Sequence, residues 1–242
     1  MHRWGRGGKD YRLMVALKTI YRGSVMRGPF AGMKYVDQAI GSGWFPKVLG
    51  RYESELQGVI EDIVSQQYAT VVDIGCAEGY YAVGLALRCP QAHVIAFDTD
   101  EHARTLCSEL ATRNNVIDRV SVRGRCDPHE LRQLHTEGGI VVISDCEGFE
   151  LDILDPAAVS WLANADILVE LHDFLIPGLK EKLLPRFETT HTIRIIDSQC
   201  PAVGSEPIFA NLAIADQIHG LGERWPPMQW AWLKSRHLSE VS

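Results

Sequence analysis

The 242-residue chain contains no run of about 18 apolar residues, and its basic beginning is not followed by an apolar core and a small-residue cleavage site. Neither a membrane span nor secretion is therefore expected, and the cytoplasm is the expected compartment. The six cysteines, Cys76, Cys89, Cys107, Cys126, Cys146 and Cys200, include no C-x-x-C pair, which argues against a zinc ribbon and against a disulfide framework. No repeat or low-complexity segment is visible. The phosphate-binding pattern G-x-x-x-x-G-K-[ST] is missing. So is G-x-G-x-x-G, because Ala77 and Tyr80 stand where its second and third glycines would be, which disfavours NAD and a nicotinamide-dependent oxidoreductase.

What remains is ordinary globular composition, 46% hydrophobic and 23% charged, on a chain long enough to bury a sizeable core without disulfides or a structural metal. The formal charge of −7 is unevenly spread. Residues 1–27 carry Arg3, Arg6, Lys9, Arg12, Lys18, Arg22 and Arg27 against Asp10 alone, a net +6 that leaves −13 for the rest. An arm for nucleic acid or an anionic surface is one reading. A packed extension ranks ahead of it, since Leu13, Val15, Leu17 and Ile20 suggest a short helix with a body to lie on.

Residues 28–50 are rich in glycine and proline and read as a linker or lid, giving residues 1–50 as arm and lid. Helical spacing of apolar residues follows over about 53–67. Beyond it, short apolar runs at Thr70–Ile74, His93–Phe97, Arg119–Val122, Ile140–Ser144 and Ile167–Leu171 alternate with helix-length segments, the signature of βαβ units in a mainly parallel sheet. Two later runs, Thr192–Ile196 and Ile208–Ala215, have no helix between them and are expected to pair antiparallel. The expected fold is a Rossmann-like α/β domain over residues 51–218, with a seven-stranded, mostly parallel sheet and helices on both faces. Residues 219–242, with Trp225, Trp230 and Trp232, form a tail expected to pack on it. The arm and this tail are candidate surfaces for a homo-oligomer.

The glycine turn Asp73-Ile74-Gly75-Cys76-Ala77-Glu78-Gly79 joins a buried strand to the helical Tyr80–Leu87. Gly75, Cys76, Ala77 and Gly79 let a ligand approach backbone N–H groups near a helix N-terminus. Asp73 cannot welcome a pyrophosphate but can hold an ammonium, which fits an amino-acid-bearing ligand such as S-adenosylmethionine. Asp98, ending the next strand before Thr99, can take both hydroxyls of a ribose, and Cys126-Asp127 after the third strand can reach an adenine amino group. Helix capping is the competing reading for Asp98 and Asp127. Tyr52 is a further candidate cofactor contact.

These stretches, with Phe97-Asp98-Thr99-Asp100, Asp145-Cys146-Glu147-Gly148-Phe149-Glu150, Leu154 and Ile167-Leu168-Val169-Glu170, resemble the FkbM-type family of class I S-adenosylmethionine-dependent methyltransferases. The resemblance runs from about Arg51 to Asp173 and more loosely through Ala215. It implies the fold above and methyl transfer to oxygen on a small molecule or sugar. The sequence departs from that family in Asp98, where Glu is usual, in Cys-Ala-Glu between the motif glycines, and in a more polar Glu170-Leu171-His172-Asp173.

Adjacent parallel strands should gather Asp145, Glu147, Glu170 and His172 in one cavity. One reading makes His172 or Glu170 the base that deprotonates an alcohol, with Asp145 orienting it. The other has Asp145, Glu170 and His172 hold a divalent metal that acidifies the hydroxyl, and ranks second. Residues 28–51 and 198–207 are expected to wall the substrate pocket, and a small-molecule acceptor is expected ahead of nucleic acid. N-methylation and a non-catalytic S-adenosylmethionine-binding module are the alternatives. His191 is discounted, since it begins a parallel strand at the opposite edge.

Overall fold

The computed structural model describes residues 9–18, 20–134, 138–223 and 228–237. Arg3, Arg6, Trp225, Pro226 and Pro227 lie outside them.

One seven-stranded sheet, in the order β3-β2-β1-β4-β5-β7-β6, organises the molecule. Strands β1 (Thr70–Ile74), β2 (His93–Phe97) and β4 (Ile140–Ser144) occupy the spans their apolar runs predict, and β3 (Val120–Arg123) and β5 (Asp166–Leu171) differ by a residue. β1, β4 and β5 are buried along their whole lengths, which is why they read as unbroken apolar runs. β1 to β5 are mutually parallel. The order reverses between β1 and β4, and the crevice at such a point is where open α/β sheets bind ligands.

The expectation of a strand over Ile208–Ala215 is corrected. That segment is a 3-10 turn at Pro207–Phe209 followed by helix α9 (Ile214–Leu221). Pro207 sits in the first turn, and the buried Glu206 carboxylate accepts the Ile208 N–H, so this backbone donor is spent on a local cap. The partner of β6 (His191–Asp197) is instead β7 (Gln229–Ser235), which inserts antiparallel between β5 and β6. Trp230 and Trp232 are therefore sheet core.

The layer on one face of the sheet is built from α3 (Gln57–Gln66), α4 (Tyr80–Arg88), α5 (Glu101–Arg113) and the N-terminal segment. The other buries α6 (Pro128–Arg132), α7 (Glu150–Ile153) and α8 (Leu179–Leu183). Helix α1 (Lys9–Leu17) lies on α9 and the Pro207 turn, as the packed-extension reading requires. Leu13 and Leu17, four apart, are fully buried, whereas Val15 and Ile20 face solvent. Two of the arm's cations are paired with the acidic body: Arg12 with the buried Asp216 at 2.6 Å, and Arg27 with the buried Glu206.

Candidate active site

The carboxyl ends of β1, β2 and β4, with the loop after β3, open into a cavity of 670 Å³. Its wall is the glycine turn. Gly75 has φ +85°, and a Cβ there would stand 1.8 Å from the Asp145 carbonyl oxygen. The turn can thus cross directly over the end of β4, where Asp145 N–H bonds to the Ile74 carbonyl at 2.9 Å. Cys76 and Ala77 complete this wall. Gly79, the fourth predicted turn residue, is not part of the lining. It is the N-cap of α4, pressed against Cys107.

Asp73 lines the cavity from inside β1 and is 3% exposed. It accepts the Ala82 backbone N–H from the first turn of α4, while its Oδ2 has no hydrogen-bond partner among the described residues. Burial pushes its pKa up to about 7, against the lowering by Ala82, with the Asp145 and Asp98 charges adding to the rise. A buried carboxylate oxygen with nothing to bond to is a receptor for a cation. Asp98 receives the Ala77 N–H at 2.8 Å on one oxygen and the Asp100 N–H at 2.8 Å on the other. It ties the glycine turn to β2 and is not a helix cap, since Asp100 caps α5. Asp127 does cap α6, bonding the Glu130 N–H at 2.9 Å, and still lines the cavity beside Cys126. Those cap bonds hold its carboxyl below the usual range. Thr99 and Tyr52 are also on the wall. Burial pushes the Cys126 thiol up to about 12, so it is a neutral packing group.

The sequence reading missed two features. Lys47, on α2 (Trp44–Leu49), reaches the same cavity with its side chain 3% exposed. Its Nζ lies 2.6 Å from the fully buried Glu78 and 4.7 Å from the centre of the Tyr52 ring. Glu78 also accepts Tyr35 OH at 2.5 Å and the Ile40 N–H at 2.9 Å. Burial alone would raise the Glu78 carboxyl, but Lys47, Tyr35 and Ile40 together hold it below its ordinary value. Glu78 therefore moors residues 35–47 over this cavity. The one unusual residue within the glycine turn was the available signal.

Glu150 is the second. It is fully buried, and its Oε1 lies 2.6 Å from His172 Nδ1. That bond turns the other ring nitrogen, Nε2, toward Asp145 at 3.4 Å, Glu147 at 3.5 Å and Glu170 at 3.3 Å. The four predicted residues thus do converge, on one buried imidazole. Burial would lower the His172 pKa, but the Glu150 hydrogen bond and the charges of Glu150, Asp145 and Glu147 raise it above its ordinary value. Asp145 and Glu147 face the cavity, with Glu147 held at φ +54°, a left-handed conformation that a non-glycine residue rarely adopts. Glu170 and His172 lie behind them. The ligand atoms of Asp145, Glu147 and His172 fall within 4.8 Å of one another. This set suits a divalent cation such as Mg²⁺ or Mn²⁺, with Glu150 orienting the imidazole from behind. It has Glu147 where the sequence reading had Glu170. His191 lies away from this cluster at the start of β6, bonded to the Ala165 carbonyl at 2.7 Å.

The fold matches methyltransferases of known structure. The precorrin-6y C5,15-methyltransferase of Geobacter metallireducens is 13% identical with a TM-score of 0.51, the match covering 74% of this chain and 89% of that one. The O-methyltransferase TomG of Streptomyces achromogenes, solved with S-adenosylmethionine, is 14% identical with a TM-score of 0.49, over 77% and 81% of the two chains. By sequence, 69 residues are 36% identical to the release factor glutamine methyltransferase of Cereibacter sphaeroides, which is 28% of this chain and 25% of that protein. No family model matches the chain. The protein has the fold of a class I S-adenosylmethionine-dependent methyltransferase.

Proposed function

We propose that the protein transfers the methyl group of S-adenosylmethionine to a hydroxyl of a small molecule. The observation that carries this is Asp73, a buried carboxylate at the end of β1 with an unbonded oxygen facing a cavity that also presents Asp98 and Asp127. Asp73 would hold the ammonium of the cofactor, Asp98 its ribose hydroxyls, and Asp127 with Cys126 its adenine edge. Lys47 is placed to receive the carboxylate of the same amino-acid moiety. The FkbM-type resemblance supports oxygen as the acceptor atom. The cytoplasm is the proposed compartment, on the cysteine spacing of the sequence.

When bound, the cofactor supplies an electrophilic methyl on a sulfonium. This chain supplies the proton acceptor. Glu150 fixes the imidazole of His172, and His172 Nε2 with Glu170 forms the basic surface toward which an acceptor hydroxyl gives up its proton. Asp145 orients the acceptor and balances the imidazolium that forms. In a second reading, favoured by the convergence of Asp145, Glu147 and His172, those residues hold a divalent cation that lowers the hydroxyl pKa.

Turnover tests the proposal. S-adenosylhomocysteine formation is followed with a panel of small alcohols, sugars and amines, and Glu170→Gln should lower kcat by about 10²-fold, within the range of general-base contributions, while cofactor affinity is unchanged. Methylation of amines alone would move the assignment to N-methylation. Tight cofactor binding with no turnover on any acceptor would instead favour a non-catalytic module.

A further inference from the structure

Of the seven phenylalanines, five are buried, and the two that are not, Phe149 and Phe174, are each 51% exposed. Each stands two residues beyond a member of the chemical cluster, Phe149 after Glu147 and Phe174 after His172. Both are carried on short hydrogen-bonded turns. Phe149 N–H donates to the Cys146 carbonyl at 3.4 Å. The N–H groups of Leu175 and Ile176 both donate to the His172 carbonyl at 2.9 Å, which leaves Phe174 and the exposed Leu175 on the outside of their turn. The two turns touch. Gly148 has φ +102°, and a Cβ there would stand 3.1 Å from Ile176 Cγ1 and 3.9 Å from Leu175 Cβ. Phe149 lines the 670 Å³ cavity together with Asp145 and Glu147, and the centre of the Phe174 ring is 6.3 Å from that of the His172 imidazole.

We propose that Phe149, Phe174 and Leu175 form an apolar rim that seats the acceptor, and that the acceptor is an alcohol on a hydrocarbon body, alkyl or aryl, rather than a sugar. The inference rests on the methyltransferase reading and narrows its small-molecule acceptor to a substrate class. Exposed aromatic and aliphatic side chains gain free energy when a ligand takes them out of water. These three are held outward by the same turns that place Glu147 and His172, so a molecule lying on them has its reacting end beside the cluster. Their side chains carry no hydrogen-bonding atom. A sugar laid on them would give up water from its hydroxyls with nothing in return, whereas a hydrocarbon gives up none. A second copy of the chain or a bilayer resting on the rim would stand over the mouth that Glu147 and Phe149 line, which the acceptor itself has to use.

The test uses the full chain saturated with S-adenosylhomocysteine and four probes, 1-butanol, 1-hexanol, 1-octanol and methyl α-glucoside, followed by ligand-observed NMR. Affinity should tighten by about twofold to fourfold per methylene along the alcohols, and the glucoside should bind at least about tenfold more weakly than 1-octanol. Phe174→Ser, a change at an exposed position outside the cavity lining, should weaken 1-octanol by about tenfold and leave S-adenosylhomocysteine affinity unaltered. With S-adenosylhomocysteine bound to the wild type, a flat alcohol series, a glucoside as tight as 1-octanol, or indifference of 1-octanol to Phe174→Ser overturns the rim alone. So does a loss of S-adenosylhomocysteine affinity in Phe174→Ser, or a dimer in sedimentation that Phe174→Ser dissociates, which would give the rim to a second copy. Failure of the wild type to bind S-adenosylhomocysteine overturns the methyltransferase reading and this inference with it.

Discussion

Lowering the pH from 8 to 6 should weaken S-adenosylhomocysteine binding by about tenfold, and Asp73 is the reason. Its pKa in the empty protein is pushed up to about 7 by burial. The ammonium of the ligand needs the ionised carboxylate, which is about nine-tenths populated at pH 8 and about one-tenth at pH 6. 5′-Methylthioadenosine, which has the same nucleoside and no ammonium, should show no such dependence. Stability without ligand moves the other way. The unfolded carboxyl ionises near 3.8 while the folded one stays protonated to about 7, so stability is full below the lower value and falls as pH rises through this window, by a loss on the order of 4 kcal/mol. Asp73→Asn should therefore melt higher than the wild type at pH 8 while losing most of its affinity for S-adenosylhomocysteine. Calorimetric titrations of both ligands at pH 6, 7 and 8, with thermal melts of both proteins, give the answer. A flat affinity for S-adenosylhomocysteine, or an equal slope for 5′-methylthioadenosine, would refute the placement of the ammonium on Asp73.

Lys47→Met strands the Glu78 carboxylate in the interior and should cost about 3–5 kcal/mol by chemical denaturation. Adding Glu78→Gln should recover part of that loss, and an additive double variant would mean the two are not coupled. Glu150→Gln keeps the volume but removes the charge that orients His172, so kcat should fall by about 10-fold to 100-fold with cofactor affinity unchanged. An equal loss of affinity would show that Glu150 serves the fold rather than the imidazole. Chelation with EDTA should leave turnover unchanged if His172 and Glu170 act as the base. Abolition by EDTA with rescue by Mg²⁺ or Mn²⁺ would assign Asp145, Glu147 and His172 to a metal.

The parts of the fold legible in the sequence are the short apolar runs bounded by turn residues. β1, β2 and β4 run between turn residues as short apolar stretches, and their limits are set by the chain itself. Ile208–Ala215 is ambiguous because its apolar positions suit a strand and equally suit a proline-led turn into an amphipathic helix, which the Glu206 cap and the packing of α9 on α1 and α2 decide. β7 is hidden for another reason: Trp230-Ala231-Trp232-Leu233 pairs with β5 and β6, strands distant in sequence, and no local spacing announces that insertion.

The site divides along the same line. Asp73, Asp98, Asp145 and Glu170 are tied to strand ends, so topology alone brings them to one edge. Lys47 with Glu78, and Glu150 with His172, join residues 31 and 22 positions apart on different elements, and no local spacing announces such a pair. Glu150 offers capping as an equally good explanation until its partner is seen. The basic arm resolves in part: Arg12 and Arg27 pair with the buried carboxylates of Asp216 and Glu206.

As proposed, the cleft at the end of β1 is built for an adenosyl amino acid and not for a dinucleotide. Isothermal titration of the full chain at pH 8 with S-adenosylmethionine, S-adenosylhomocysteine and NAD tests it most directly. The first two should bind, NAD should not, and Asp98→Ala should abolish both binding signals. Preferential binding of NAD would contradict it.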